Sequence, residues 1–252
     1  MPSSRSPYAL GAVLLLLVAG CGGGDGDRDG AGEQRAGAAE VRQAAPPRDQ
    51  VPAPPREIPG LGPKTRAEIP DEARQAVVVT GETRTSNRST VKLYTRKDRA
   101  AGWRSVTGPW PAHNALRGWT DHHRQGDLKS PVGVFGLTDA GGLLPDPGTE
   151  LPYDRGSAFT ARGTGFEGEP LAGSFDYVVA INYNRRPGTT PLDWTRPLGA
   201  GRGGGVWLHV DHGGPTQGCV SLPKARMKEL LRTLDPAAEP VVVMGDVEAL
   251  GR

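Results

Sequence analysis

Short runs of β-branched residues bounded by turn-formers constrain this chain more than any other feature. Ala76-Val77-Val78-Val79-Thr80 and Thr90-Val91-Lys92-Leu93-Tyr94 are two such runs, joined by the polar stretch 81–89. They read as a hairpin or as adjacent strands. Residues 132–137, 177–181, 205–210 and 241–244 repeat the pattern. One helix interrupts it over 223–234, where Pro223 suits the first turn. Met227, Leu230, Leu231 and Leu234 recur there at helical spacing and read as core. Pro236 and Pro240 separate this helix from the last run. The expected fold is therefore mainly β with one helix near the C-terminus. Two stretches dense in Gly and Pro, 139–173 and 184–204, read as long loops. The second leads into the strand carrying His209, which makes it a candidate wall or lid of a groove.

The beginning of the chain follows a different rule. Arg5 precedes a short apolar run that ends in Val18-Ala19-Gly20-Cys21. Spanning a bilayer takes about 20 apolar residues, so residues 1–21 read as a signal peptide with small residues before a cleavage point. The segment resembles the bacterial lipobox, which implies lipidation of Cys21 and an exported protein anchored to the membrane and facing the cell wall. Residues 22–72 hold Gly, Ala, Pro, Arg and acidic residues with hardly any large apolar side chain, the composition of a disordered tether. That leaves 73–252 as one domain. A net charge of +2 with no basic stripe argues against a nucleic-acid partner. His113, His122 and His123 share no recognised spacing with other ligand types, so no metal is expected. Arg124, Lys129, Arg185 and Arg186 read as solvated charge, and Trp110, Trp119, Trp194 and Trp207 as core or partial core.

The chain has two cysteines. If lipid takes Cys21, Cys219 has no partner, and a lone thiol in an exported protein is either buried inertly or used. Its surroundings favour use. In Leu208-His209-Val210-Asp211-His212-Gly213-Gly214-Pro215-Thr216-Gln217-Gly218-Cys219, strand alternation sets Trp207, His209 and Asp211 on one face and Leu208, Val210 and His212 on the other. Gly213, Gly214 and Pro215 let the chain turn back, bringing Cys219 towards His209. A free thiol, with a pKa of about 8.5, is mostly protonated near neutrality; an adjacent imidazole takes the proton and makes the nucleophile. Gly218 leaves room for a carbonyl compound, and the Cys219 N–H can hold a developing oxyanion. His212 competes with His209 as the base; strand geometry favours His209.

Thr216-Gln217-Gly218-Cys219 with the upstream His209 resembles the signature of L,D-transpeptidases. Gly126-Asp127-Leu128-Lys129-Ser130-Pro131-Val132-Gly133-Val134-Phe135 is similar to that family's Gly-Asp-x-x-[Thr/Ser]-Pro segment. The resemblance implies a β-rich catalytic domain that binds peptidoglycan stem peptides and needs no cofactor. Cys219 would attack the amide before the terminal D-alanine of a tetrapeptide, and a neighbouring stem amine would resolve the thioester as a 3→3 cross-link. It also implies that the Val210 carbonyl orients His209, with Asp211 as an alternative, and that Thr216, Asp211 and Ser221 are substrate-side residues. Ser221 stands where the family often has Arg. That departure keeps open a wall-binding lipoprotein without turnover, and acceptor access decides between transfer and a carboxypeptidase that resolves the thioester with water.

Overall fold

The computed structural model describes residues 56–252. In chain order the elements are α1 (Pro63–Ala67), β1 (Gln75–Gly81), β2 (Arg88–Thr95), β3 (Arg104–Ser105), β4 (Trp110–His113), β5 (Trp119–Thr120), β6 (Ser130–Pro131), β7 (Gly133–Gly142) and β8 (Tyr153–Arg155). They continue with β9 (Val178–Ile181), β10 (Trp207–Val210), β11 (Val220–Leu222), α2 (Lys224–Thr233), β12 (Val241–Asp246) and α3 (Val247–Leu250). The valine-rich runs all form strands, and the predicted helix forms within a residue or so of its expected ends.

The main sheet runs β1-β12-β7-β9-β10-β11-β4-β2, and β2 pairs again with β1, so the sheet closes on itself like a barrel. Closure removes the unpaired edges that an open sheet presents. Most neighbours are antiparallel, but β1 with β12 and β10 with β11 are parallel. The fold is mainly β, as expected from the strand pattern.

Why β1 is apolar at successive positions rather than alternating becomes clear from its two faces. Val77 and Val79 enter the principal core with Leu93, Leu137, Leu208, Leu222, Met244 and the α2 residues Met227, Leu230 and Leu231. Ala76 and Val78 face the other way, into a second core with Val241, Val243, Ile58, Leu61, Ile69 and Leu250. Residues 56–72 therefore cover the outer face of β1 and β12. Gly62 N–H donates to Leu250 O (2.8 Å) and Lys64 N–H to Arg252 O (3.0 Å), fixing this segment to the C-terminal residues.

This corrects the expected tether boundary. The stretch 22–72 looked too poor in large apolar residues to fold, yet Ile58, Leu61 and Ile69 are buried, and α1 begins at Pro63. A few aliphatic side chains suffice because the sheet beneath supplies the other half of the core. The expected signal segment, Cys21 and most of the tether lie outside the described residues.

A second correction concerns the stretch 139–173. It opens inside β7, which continues to Gly142, and contains β8, so the irregular part is shorter than its composition suggested.

Candidate active site

β10 and β11 carry the chemistry-bearing residues. Leu208 lies opposite Val220 and His209 opposite Ser221 in parallel register. Cys219, one residue before β11, thus stands beside Trp207 at the entrance of the strand pair. The connection 211–219 carries the chain from the end of β10 back to the level of its start, as the Gly213-Gly214-Pro215 turn implied. Leu208 and Val210 enter the core while His209 lines a cavity, so alternation holds along β10.

That cavity measures about 410 Å³ and is lined by Cys219, His209, His212, His123, Phe175 and Trp194, among others. Its floor comes from the strand pair and the 215–219 turn; residues of 161–171 and 194–206 close it from above. The second long loop therefore does form a wall, and so does the first.

Cys219 is the free cysteine among the described residues and is partly open. Its thiol lies 3.7 Å from Gly205 O and accepts a hydrogen bond from Trp207 N–H at 3.4 Å. Burial pushes the thiol up to about 11, against the opposing pull of the Trp207 N–H. His209 is 3% exposed, and Phe175 packs against it edge to face. Burial brings the imidazole down to about 4. Both groups are thus neutral near pH 7. His209 Nδ1 donates to Val210 O at 2.9 Å. A carbonyl only accepts, so this bond puts the proton on Nδ1 and leaves Nε2 with its lone pair. The neighbouring carbonyl implied by the family pattern is in place.

The remaining site residues divide. Thr216 lines the cavity, but its hydroxyl donates to Cys219 O at 2.6 Å, which serves the nucleophile turn. Ser130 Oγ also reaches that carbonyl, at 3.5 Å, and accepts from Ala115 N–H. Asp127, from the same motif, caps its own turn by accepting from the N–H groups of Arg124 and Lys129. The Gly-Asp-x-x-Ser-Pro segment therefore buttresses the cysteine. Gly218 lines the cavity, and a Cβ there would sit 3.6 Å from His123 Cε1, in ordinary contact.

Asp211 and Ser221 point elsewhere. Asp211 accepts from Ser221 Oγ (2.7 Å) and pairs with His113 Nδ1 (2.9 Å), while Ser221 is fully buried. Neither lines the cavity, and Asp211 does not engage His209. Burial alone would raise the Asp211 carboxyl, but the bonds from His113 and Ser221 hold it down to about 2.

Several residues differ from their sequence expectation. Arg185 is not solvated: it is 5% exposed and bonds Asp139 at 2.8 Å, tying the loop 184–204 to β7. Trp194 is not core but 81% exposed at the cavity mouth, with Arg196 over its ring. Sequence reasoning missed Glu169, which bonds His212 Nδ1 at 3.1 Å. It carried no signal, being one acidic residue in a Gly-rich loop. His123 proves to be a groove histidine, buried and 3.0 Å from Asp127.

Comparison with curated proteins and with solved structures finds no match. Comparison with protein families does: residues 8–243 match the YkuD family, described as the L,D-transpeptidase catalytic domain, and the chain belongs to that family.

Proposed function

We propose that this protein is a peptidoglycan L,D-transpeptidase in which Cys219 is the nucleophile and His209 its base, carried to the cell wall as a Cys21-lipidated exported protein. The observation that carries the reading is that Cys219 and a tautomer-fixed His209 imidazole line one cavity. A family that acts on peptidoglycan supplies the substrate class. The donor is a tetrapeptide stem, and the product is a 3→3 cross-link.

Because thiol and imidazole are both neutral at rest, proton transfer accompanies attack instead of preceding it. Sγ adds to the carbonyl carbon as its proton passes to Nε2 of His209. The Cys219 N–H, beside the side-chain-free Gly218, receives the developing oxyanion. His209 then returns the proton to the departing D-alanine amine, leaving a thioester. A stem amine displaces the sulfur in the second half.

Intact-protein mass spectrometry with a disaccharide-tetrapeptide, on wild type and Cys219→Ala, tests this. The expected result is a Cys219-dependent acyl adduct together with a 3→3 dimer. D-alanine release without dimer would assign the carboxypeptidase reaction instead. Binding with neither adduct nor product would leave a wall-binding domain.

A further inference from the structure

Two imidazoles with committed Nδ1 atoms stand in the cavity, and the scheme above uses only one. His212 stacks on His209, with ring centroids 5.9 Å apart and planes 11° from parallel. Its Nδ1 faces Glu169 Oε1 at 3.1 Å. An ionised carboxylate can only accept, so the Nδ1 proton is fixed and Nε2 is the free nitrogen, the arrangement by which a carboxylate prepares an imidazole to accept a proton.

Glu169 is itself built into place. Its Oε2 accepts from Glu167 N–H at 2.8 Å, and its own carbonyl accepts from Gly165 N–H at 2.8 Å, so a tight turn presents the carboxylate. The N–H groups of Glu169 itself and of Glu167, with His212, keep the carboxyl below its ordinary range. On the opposite side, Gly214 makes room for it: a Cβ at Gly214 would fall 2.2 Å from Glu169 Oε1.

We propose that His212, oriented by Glu169, is the base for the acceptor half of the reaction, taking a proton from the amine that resolves the Cys219 thioester. The proposal rests on the transpeptidase reading and extends it. His209 belongs to the strand next to Cys219 and serves Sγ. His212 lies one ring further along the same cavity, beside the 161–171 turn. An amine that adds to a thioester becomes ammonium-like and must lose a proton for the adduct to go forward. In the step, the amine nitrogen bonds the carbonyl carbon and one amine proton passes to His212 Nε2. The C–S bond breaks, and its electron pair returns to Sγ. His212 then releases its proton to solvent, and the thiolate takes one back. Glu169 is a positioning residue that acts through His212.

The test compares the full chain as wild type, His212→Ala, Glu169→Gln and Gly214→Ala. Acyl-enzyme is formed with disaccharide-tetrapeptide and then resolved either by the stem's side-chain amine or by hydroxylamine, a nucleophile that needs little help from a base. In His212→Ala, acylation is expected to stay within about threefold of wild type, while amine transfer falls on the order of 10²-fold. Resolution by hydroxylamine should change little. Glu169→Gln and Gly214→Ala should share the same selective loss, each about tenfold. Unchanged amine transfer in His212→Ala overturns the proposal, as does an equal fall in acylation and both resolutions. Absence of acyl-enzyme in the wild type would instead remove the transpeptidase reading, and this step with it.

Discussion

The floor and the roof of the cavity are built by different means. The floor is strand: β10 and β11 fix Cys219 and His209 through ladder register, with Leu208, Val210, Val220 and Leu222 locked into the core behind them. The roof is loop, and a few polar bonds hold it. Asp139 and Arg185 tie the 184–204 loop to β7, and Glu169 with His212 ties the 161–171 turn to the strand side. Nucleophile and base thus share the rigidity of a closed sheet, whereas the surfaces meeting the rest of the substrate depend on separable anchors. The roof can vary with substrate without disturbing the pair beneath it.

Breaking the closed sheet that supports the floor should have the largest effect. A chain beginning at residue 73 loses Ile58, Leu61 and Ile69 from the outer core. Each fully buried aliphatic side chain is worth roughly 1.5–3 kcal/mol, so the loss approaches the whole stability of a domain, about 5–15 kcal/mol. Denaturant unfolding should show a chain beginning at 56 folding cooperatively and one beginning at 73 largely unfolded. Equal stability would return residues 56–72 to the tether.

Breaking the roof alone is the sharper experiment. Asp139 and Arg185 are both nearly inaccessible, with side chains 4% and 3% exposed. Removing one partner of such a pair costs about 3–5 kcal/mol because the other charge stays buried. Asp139 also accepts from Gly188 N–H at 3.0 Å, so Asp139→Ala frees the loop at two points. The unfolding midpoint should drop, and KM for the stem should rise further than acylation of bound substrate slows. A loss confined to kcat would mean that the loop acts on the chemistry rather than on binding.

The same division governs what the sequence discloses. Strand residues are legible because their period is two: His209 is assigned to a face by Leu208 and Val210, and Cys219 by the turn that precedes it. Position across the sheet is less legible. Asp211 falls on the His209 face by alternation, yet the strand ends at Val210 and Asp211 turns to His113 on β4. β4 itself was missed, since Pro111 and His113 do not read as a strand; its pairing with β2 and β11 forms it. Residues 56–72 look like tether because the apolar surface they need belongs to β1 and β12. Glu169 and Arg185 are unreadable for a related reason: a loop charge acquires its role only from the partner that folding brings to it.

A pH experiment tests the buried base. With its folded value lowered to about 4, His209 stays neutral down to that pH, whereas in the unfolded chain it protonates near 6.5. The unfolded state therefore binds more protons between these values, and stability falls as pH drops from about 6.5 to 4, by roughly 3 kcal/mol from this group. Phe175→Ala, which opens the packing around the ring, should reduce that slope. The acid limb of kcat/KM for acylation should likewise lie well below 6.5. An acid limb at 6.5 in a folded enzyme would point to a solvated base and count against His209.

The smallest expected effect on stability, and the cleanest reading of the roof, comes from Trp194. At 81% exposure its ring buries little, so Trp194→Ala should shift stability by no more than about 0.5 kcal/mol. Yet the ring lines the cavity mouth, and Arg196 sits 5.0 Å over it, which favours one orientation for a side chain otherwise free to move. A large aromatic kept in water at the rim of a site gains its apolar contact only when a ligand arrives. Titration with muropeptides should show weakened binding in Trp194→Ala and lesser weakening in Arg196→Gln, where the ring stays but loses its cation. Unchanged binding in both would confine recognition to the strand-built floor and leave the loop as a water-excluding cover.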